Sequence, residues 1–173
     1  MKNLKVIWSV RTECGPERDK NEDAVYPNTS GNKKLPFKAA ICDGLGGHAK
    51  GEIASKIATE TMESRERNLV ETIEEANTKI TDYQTSNSDS KGMGTTMTAI
   101  NIDGNGLMKV GHVGDSRCYV LSSRNLVKLT EDQNVPGYQN VLKQALGTKD
   151  KLDIQKIDFQ LNDGDVVFLC TDG

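Results

Sequence analysis

The chain has 173 residues, of which 35% are hydrophobic and 27% charged, and its formal net charge at pH 7 is −3. This size suits a single domain, 1–173, with a proper hydrophobic core. The charge provides no basic surface for nucleic acid, and the longest apolar run, 166–170, is too short to cross a bilayer. We therefore expect a cytoplasmic protein with neither nucleic acid nor membrane as a partner.

Metal ligands that use nitrogen or sulfur are scarce. The sequence contains four cysteines, at Cys14, Cys42, Cys118 and Cys170. None has C-x-x-C spacing, and the last three lie in apolar strand-like runs, which is typical of buried reduced thiols. The histidines are His48 and His112, and His112 lies inside a β-type run, where a structural role is expected. Any bound metal should therefore be held mainly by oxygen.

The first 42 residues predict strands separated by polar segments. Residues 4–10 and 37–42 are short apolar runs typical of strands, and 24–26 could begin another. Residues 27–36 are rich in turn formers. The segment 11–22 is polar and charged, and taken alone it indicates a solvated loop.

Two consecutive helices are predicted after the strand that delivers Asp43. Glycines follow this aspartate, and apolar residues then recur at helical spacing over about 49–68. A second stripe with three- and four-residue spacing covers 69–83. Residues 85–94, rich in serine and glycine, predict a loop that ends the pair.

The second half of the chain predicts short strands in an antiparallel meander. The predicted strands are 95–102, 107–113, 117–121, 126–129, 152–161 and 166–171. The segment 140–146 predicts a short helix closed by Gly147. Because the strands are grouped on either side of a helix pair, the pattern favours an α+β layered fold with mostly antiparallel sheets.

Acidic residues fall at the ends of predicted strands. The strands at 37–42 and 166–171 each run into an Asp-Gly pair. These pairs begin at Asp43 and Asp172, and a third possible strand starts at Asp23. If the strands are neighbours, the three carboxylates share one end of a sheet. Oxygen ligands suit Mg²⁺ or Mn²⁺, and a pair of such ions can promote phosphate hydrolysis. Asp-Gly is also ordinary turn chemistry, so either pair alone would more often be a turn.

Short motifs are spread along nearly the whole chain. They are Arg18-x-x-Asn21-Glu22-Asp23-Ala24, Asp43-Gly44-Leu45-Gly46-Gly47-His48-x-x-Gly51-Glu52, Gly94-Thr95-Thr96, Gly111-His112-Val113-Gly114-Asp115-Ser116-Arg117, Leu129-Thr130-x-Asp132, Gln144-Ala145-Leu146-Gly147, and Gly164-Asp165 followed by Thr171-Asp172-Gly173. In this order and at these distances, the set resembles the metal-dependent protein phosphatases of type 2C in their bacterial form.

The resemblance implies a fold and an activity. The fold would be an antiparallel β-sandwich flanked by helices, in four αββα layers, forming a single phosphatase-like domain over 1–173. The activity would be hydrolysis of phosphoserine and phosphothreonine in proteins by direct attack of metal-activated water. The cofactor would be Mn²⁺ or Mg²⁺, as two ions with a weaker third. The substrate would be a phosphorylated protein, the product of a serine/threonine kinase.

The same resemblance implies the metal ligands. Asp43 would bridge the two metals, and the carbonyl of Gly44 would be a further ligand. Asp172 would bind the second metal. Glu22 and Asp23 would hold water molecules on the metals.

Further roles implied by the resemblance concern the phosphate and a third metal. Arg18 would grip the substrate phosphate, because its planar fork matches phosphate oxygens; the alternative is a surface charge. Asp115 would bind the third metal, and the alternative is a turn residue without metal. His48 would either protonate the leaving oxygen or pack at the helix entry, since Leu45 fills the position directly after Asp-Gly.

Two features depart from these relatives. They continue beyond 171–173 with more helix and a further strand that supplies another metal-binding aspartate. We therefore expect a C-terminally truncated chain with a weakened second metal and open surface for a partner or for self-association. The segment 134–144 is shorter than the flap that relatives carry beside the active site, which predicts reduced substrate selection. A catalytically weak pseudophosphatase that binds a phosphorylated partner is the alternative function.

Overall fold

The computed structural model describes residues 4–16, 18–45, 50–64 and 67–172. The strands are β1 Lys5–Trp8, β2 Asp23–Tyr26, β3 Gly31–Lys34, β4 Phe37–Asp43, β5 Met97–Ile102, β6 Leu107–Val113, β7 Arg117–Ser122, β8 Asn125–Lys128, β9 Asn134–Val135, β10 Tyr138–Leu142, β11 Gln155–Gln160 and β12 Val166–Cys170. The helices are α1 Gly51–Glu60 and α2 Leu69–Ser86, with 3-10 turns at Thr61–Glu63 and Ser88–Ser90. Among the described residues no helix has the length and hydrophobicity of a membrane span.

All strand pairs are antiparallel, and they form two main sheets. One sheet has the order β11-β6-β5-β4-β2 and the other has the order β12-β7-β8, while β1 pairs with β3 and β9 with β10. The chain changes sheet between β6 and β7, so the predicted meander is divided between the two sheets. The strands that end at Asp43 and Asp172, β4 and β12, lie in different sheets. The assumption that they are neighbours in one sheet is therefore wrong.

The two sheets pack face to face through an apolar core. Its buried members are Phe37, Ile100, Ile102, Met108, Val110, Cys118 and Val120, and β12 contributes the partly buried Val167 and Leu169. Trp8 of β1 packs on Phe37 with ring centroids 4.7 Å apart. A Cβ at Gly31 would lie 2.8 Å from the Trp8 ring, so a side chain at the first residue of β3 would displace that ring. The pairing of the two main sheets confirms the expected sandwich.

The helices cover the outer face of the five-stranded sheet. Their buried residues meet those of β4, β5 and β6 in a second core, whose members include Ala54, Ala58, Ile73, Ile80, Cys42, Met97 and Ala99. The layers helix, sheet and sheet of the expected αββα arrangement thus lie within the part of the chain that the structure describes. The fold is α+β, as predicted.

Local hydrogen bonds set the limits of the two helices. Asn68 caps α2 by accepting from the Glu71 N–H (3.1 Å), and Glu71 accepts from the Asn68 N–H (3.1 Å), which forms a capping box. The first helix ends at Glu60, so the prediction that it extends to about residue 68 is wrong. Thr61 donates its hydroxyl to the Ala58 carbonyl (2.6 Å) where the 3-10 turn begins.

The prediction of a helix at 140–146 is also wrong. Residues Tyr138–Leu142 form β10, whose register with β9 shifts between Tyr138 and Leu142. The following segment is tied to the sheet, because Leu146 and Thr95 exchange backbone hydrogen bonds of 2.9 and 3.1 Å. The neighbouring strand β9 and a bridge to the distant Thr95 have overridden the local pattern.

All four cysteines are free, but only two are buried. Burial raises the pKa of Cys118 to about 12 and also raises the pKa of Cys42. Cys170 is exposed, so the prediction of a third buried thiol is wrong. It lies on the outer face of the edge strand β12, where Phe168 is also 49% exposed.

Candidate active site

A cleft of about 1250 Å³ opens at one end of the sandwich. Its walls include Arg18, Glu22, Asp23, Asp43, Gly44, Asp115 and Asp172. The structure thus brings these predicted site residues to one place, from loops and strand ends in both sheets. His48 lies outside the described residues, so its predicted role stays a prediction.

The acidic end of the cleft is built by three strand ends. Asp23 begins β2 and lies directly opposite Asp43, the last residue of β4. Directly opposed residues of antiparallel strands point to the same face, which places the two carboxyl groups side by side within hydrogen-bonding reach. Thr171, just after β12, donates its hydroxyl to Asp23 Oδ2 (3.0 Å). This bond joins the end of the three-stranded sheet to the five-stranded one and brings Asp172 into hydrogen-bonding reach of Asp43.

Burial, together with neighbouring charge, raises the pKa of three carboxyl groups in the cleft. Burial raises the pKa of Asp43 to about 8, with further contributions from the charges of Asp23, Asp172 and Asp115. Burial also raises the pKa of Asp23 and of Asp115, and Asp172 adds to both. Carboxylates crowded in this way resist full ionisation at neutral pH unless a cation compensates their charge.

Gly44 allows the end of β4 to approach the start of α1. A Cβ at Gly44 would collide with the backbone of Gly51, and a Cβ at Gly51 would lie 2.8 Å from Glu22 Oε1. The Gly44 N–H also donates to the Glu22 carbonyl (3.1 Å). Burial raises the pKa of the Glu22 carboxyl, and the charge of Arg18 opposes that rise. Glycine is therefore required at both positions to bring Glu22 beside Asp43.

Two threonines hold the Asp43 backbone in place. The Asp43 N–H donates to Thr96 Oγ1 (3.0 Å). The Asp43 carbonyl accepts from the Thr95 hydroxyl (2.9 Å) and from the Thr96 N–H (2.8 Å). Sequence reasoning noticed Gly94-Thr95-Thr96 as a motif but gave it no role, because the pairing with β4 is not visible locally.

Arg18 and Asp115 occupy other parts of the cleft wall. The Arg18 N–H donates to the Gly15 carbonyl (3.1 Å), which fixes its loop. Among the ion pairs of the described residues none involves Arg18, so its guanidinium can bind an incoming anion. Asp115 follows β6 and is 9% exposed, and its carboxyl is hydrogen-bonded by Asn134.

The donor set of the cleft fits a hard divalent cation. Within the described ranges, no group of three or more His, Cys, Asp or Glu side chains is arranged to hold a metal as it stands. The available ligands are nevertheless carboxylate and carbonyl oxygens, which Mg²⁺ and Mn²⁺ prefer. A bound cation would compensate the charge of carboxylates whose pKa values are raised by burial and by neighbouring carboxylates. Binding requires the carboxylates to close around the ion.

Comparison with known proteins agrees with this cleft and fold. Residues 16–173 match the protein phosphatase 2C family. The serine/threonine phosphatase stp of Listeria monocytogenes serotype 4b is 31% identical over 94% of this chain and 75% of its own length. The serine/threonine protein phosphatase PstP of Mycobacterium tuberculosis is 35% identical over 75% of this chain and 25% of its own.

Solved structures show the same architecture. The catalytic domain of the serine threonine protein phosphatase PstP, in complex with two manganese ions, superposes with a TM-score of 0.80. It is 28% identical, over 98% of this chain and 79% of that chain. The sequence matches and this superposition place the chain in the protein phosphatase 2C family. It spans about three-quarters of the length of the Listeria relative.

Proposed function

We infer that this chain is a metal-dependent protein serine/threonine phosphatase that uses Mn²⁺ or Mg²⁺. One observation carries the inference: in a member of the protein phosphatase 2C family, carboxylates from both sheets meet at one cleft, and Arg18 in its wall forms no ion pair with another described residue. The oxygen-only donors and their raised pKa values suit two divalent ions at this end of the sandwich. The relatives that match along most of the chain are named as phosphatases, which supports enzymatic turnover over mere binding.

We propose the following ligands for the metals. Asp43, whose carboxyl interacts with those of Asp23, Asp172 and Asp115, would hold two ions, and the carbonyl of Gly44 would be a further ligand. Asp172 would hold the second ion, while Glu22 and Asp23 would hold water molecules around the two ions. When bound, the metals lower the pKa of water and neutralise charge on the phosphate.

Asp115 is the proposed ligand of a third, weaker ion. It reaches the cleft from the turn after β6. The charge of Asp172 is the second cause of its raised pKa, after burial, so the two carboxylates are close enough to interact. An ion bound there would share the electrostatic environment of the main pair.

Arg18 is the proposed phosphate-binding residue. Its loop lines the same cleft as Glu22, and the positive charge of Arg18 opposes the rise that burial causes in the pKa of the Glu22 carboxyl. A guanidinium can donate two parallel hydrogen bonds to phosphate oxygens and so orient the ester for attack. It would also stabilise charge on the phosphate in the transition state. His48 stays a proposed proton donor to the leaving oxygen or a packing residue.

The substrate is a phosphorylated protein, and we propose that a serine/threonine kinase produces it. The cleft is wide and open enough to accept a phosphorylated segment of a protein surface. We further propose a cytoplasmic location, because all four cysteines are free although two are exposed, which suits a reducing compartment.

Hydrolysis of p-nitrophenyl phosphate and of a phosphothreonine peptide tests the proposed function. The purified chain should hydrolyse both with added Mn²⁺, less well with Mg²⁺, and not after EDTA treatment. A chain that binds the phosphopeptide in the presence of Mn²⁺ without releasing phosphate would instead be the pseudophosphatase. Absence of any metal-dependent rate would refute the enzymatic function.

Replacement of Arg18 tests the phosphate-binding role. Arg18→Lys keeps the charge but loses the planar fork, so KM for the phosphopeptide should rise by about tenfold or more. The exposed Arg124, far along the chain in the turn before β8, serves as the control through Arg124→Lys. Equal KM values for the two variants would exclude Arg18 from phosphate binding.

A further inference from the structure

A buried threonine lies between the two strand ends that carry carboxylates. Thr96 is 2% exposed. Its hydroxyl accepts from the Asp43 N–H (3.0 Å), and its own N–H donates to the Asp43 carbonyl (2.8 Å). Both peptide groups at Asp43 are therefore tied to this one residue, which precedes β5.

The same hydroxyl contacts the turn that carries Asp115. Thr96 Oγ1 and Ser116 Oγ form a hydrogen bond of 2.7 Å, and Ser116 is completely buried. Ser116 directly follows Asp115, and its carbonyl accepts from the Thr98 hydroxyl (3.1 Å). The hydroxyl pair is thus a direct link between the Asp43 strand end and the point where the chain changes sheet.

Steric contact reinforces this hydrogen bond. Gly114 has φ +111°, and a Cβ there would lie 2.6 Å from the Thr96 side-chain methyl. The backbone of the turn therefore lies directly on Thr96. Gln133 fixes the other side, because it donates its N–H to the Gly114 carbonyl (2.8 Å) and accepts from the Gly114 N–H (2.9 Å). The turn has little freedom to move away from β4.

We propose that Thr96 and Ser116 are positioning residues, whose buried hydroxyl pair sets the relative placement of the Asp43 and Asp115 carboxylates for metal binding. Neither side chain is required to touch metal or substrate. The inference rests on the proposed function, since it assigns a purpose to the spacing of two proposed metal ligands. Loss of the Thr96 hydroxyl leaves both the Asp43 N–H and the Ser116 hydroxyl without this buried partner, and loss of the Ser116 hydroxyl leaves the Thr96 hydroxyl without Ser116. In either case the strand end and the turn can then separate.

The chain offers closely matched variants for the test. Thr96→Val removes the hydroxyl and keeps the shape, Thr96→Ser keeps the hydroxyl, and Ser116→Ala removes the other half of the pair. Thr72→Val is the control, because Thr72 is equally buried (1% exposed) and its hydroxyl donates only to the Asn68 carbonyl within α2. Thermal melting in EDTA verifies that each variant is folded.

Calorimetric titration of Mn²⁺ into the full chain measures the effect on metal binding without relying on catalysis. Thr96→Val and Ser116→Ala should each weaken Mn²⁺ binding by about 10- to 100-fold, the usual cost of losing a residue that orients metal ligands. Thr96→Ser and Thr72→Val should stay within about twofold of the original chain. The double variant should be no weaker than either single one, because the two hydroxyls act as one unit.

The outcomes separate this inference from the proposed function. If the unaltered chain binds Mn²⁺ and Ser116→Ala binds it equally well, the positioning role is wrong while the metal site stands. If Thr96→Val does not fold, the Ser116→Ala result decides alone. A lower melting temperature with unchanged Mn²⁺ affinity in these variants would show that the hydroxyl pair has only a structural role. An unaltered chain that binds no Mn²⁺ would overturn both proposals.

Discussion

Strands β4 and β12 share one sequence signature, an apolar run that ends in Asp-Gly, but the fold treats them differently. β4 lies inside the five-stranded sheet, paired on both sides and covered by helices. β12 is an edge strand with one partner, and its residues alternate between exposed and partly buried. Both aspartates therefore line the same cleft, but Asp43 is attached to an inner strand and Asp172 follows an edge strand.

The difference divides the acidic cluster into a fixed half and a less constrained half. Asp43 has both neighbouring peptide groups bound by Thr95 and Thr96. Asp172 follows an edge strand, and the hydrogen bond from Thr171 to Asp23 ties that strand end to the fixed half. We expect metal affinity to depend most on the fixed half, since preorganised ligands lose less entropy on binding.

The largest expected effect comes from the fixed half. Asp43→Asn removes the carboxylate that is proposed to bridge two ions, so Mn²⁺-dependent hydrolysis of p-nitrophenyl phosphate should fall by about a thousandfold or more. Initial rates at saturating Mn²⁺ measure this loss. Asp163→Asn, in an exposed turn, is the control and should keep full activity. A decrease in this rate of less than about tenfold would show that Asp43 is not the main metal ligand.

A smaller effect is expected from the other half. Asp172→Asn should raise the Mn²⁺ concentration needed for half-maximal activity by about 10- to 100-fold, while excess Mn²⁺ restores much of the rate. Metal titrations of activity provide the measurement. If excess Mn²⁺ does not restore the rate of Asp172→Asn, and that rate falls as far as the rate of Asp43→Asn, the two aspartates contribute equally. The division into halves is then wrong.

The pH dependence of stability without metal sharpens the same comparison. The folded-state pKa of Asp43, about 8, lies above its ordinary value of 3.8. The folded chain therefore binds more protons than the unfolded chain between these values, and the free energy of unfolding must fall as pH rises towards 8. In EDTA, the melting temperature should decrease from about pH 5 to about pH 8, and Asp43→Asn should reduce that slope.

Two further measurements check the pH dependence of the melting temperature. Added Mn²⁺ should raise the melting temperature most at the alkaline end of this pH range, because more of the carboxyl groups in the cleft are ionised there. Asp163→Asn should leave the slope unchanged, since this aspartate is exposed and distant from the cluster in the sheet. A melting temperature in EDTA that increases over the same pH range would contradict the raised pKa of Asp43.

The smallest effect is expected at the link between the halves. Thr171→Val removes the hydrogen bond to Asp23 Oδ2 without changing the size of the side chain. Because the bond is only partly buried, we expect about a two- to fivefold rise in the Mn²⁺ requirement. Thr171→Ser should restore the original value. An unchanged requirement in Thr171→Val would show that the ends of β12 and β2 are aligned by packing alone.

Local signals in the sequence predicted much of the fixed half. The apolar run of β4 and its Asp-Gly ending are contained in a few consecutive residues, which is why Asp43 could be placed at a strand end. The start of α2 was also predictable, because Asn68 and Glu71 form a capping box within one turn of helix. Interactions of this kind depend on residues that are close in the chain.

Pairing between strands accounts for the errors. β3 is polar and depends on β1 for its place, so a turn-rich segment was predicted instead. Val141 and Leu142 fit a helical stripe as well as a strand, and only the pairing with β9 decides between them. The sheet to which β12 belongs is likewise set by its pairing with β7, which no local pattern encodes. The convergence of Asp43 and Asp172 across two sheets therefore could not be predicted from the sequence.

The central claim is that carboxylates from two facing sheets hold paired divalent ions. Anomalous diffraction from crystals of the chain grown with Mn²⁺ tests it most directly. The claim predicts at least two manganese peaks in the cleft, one of them between Asp43 and Asp23 and another beside Asp172. Anomalous density that is absent from the cleft at saturating Mn²⁺, or that lies elsewhere on the molecule, would contradict it.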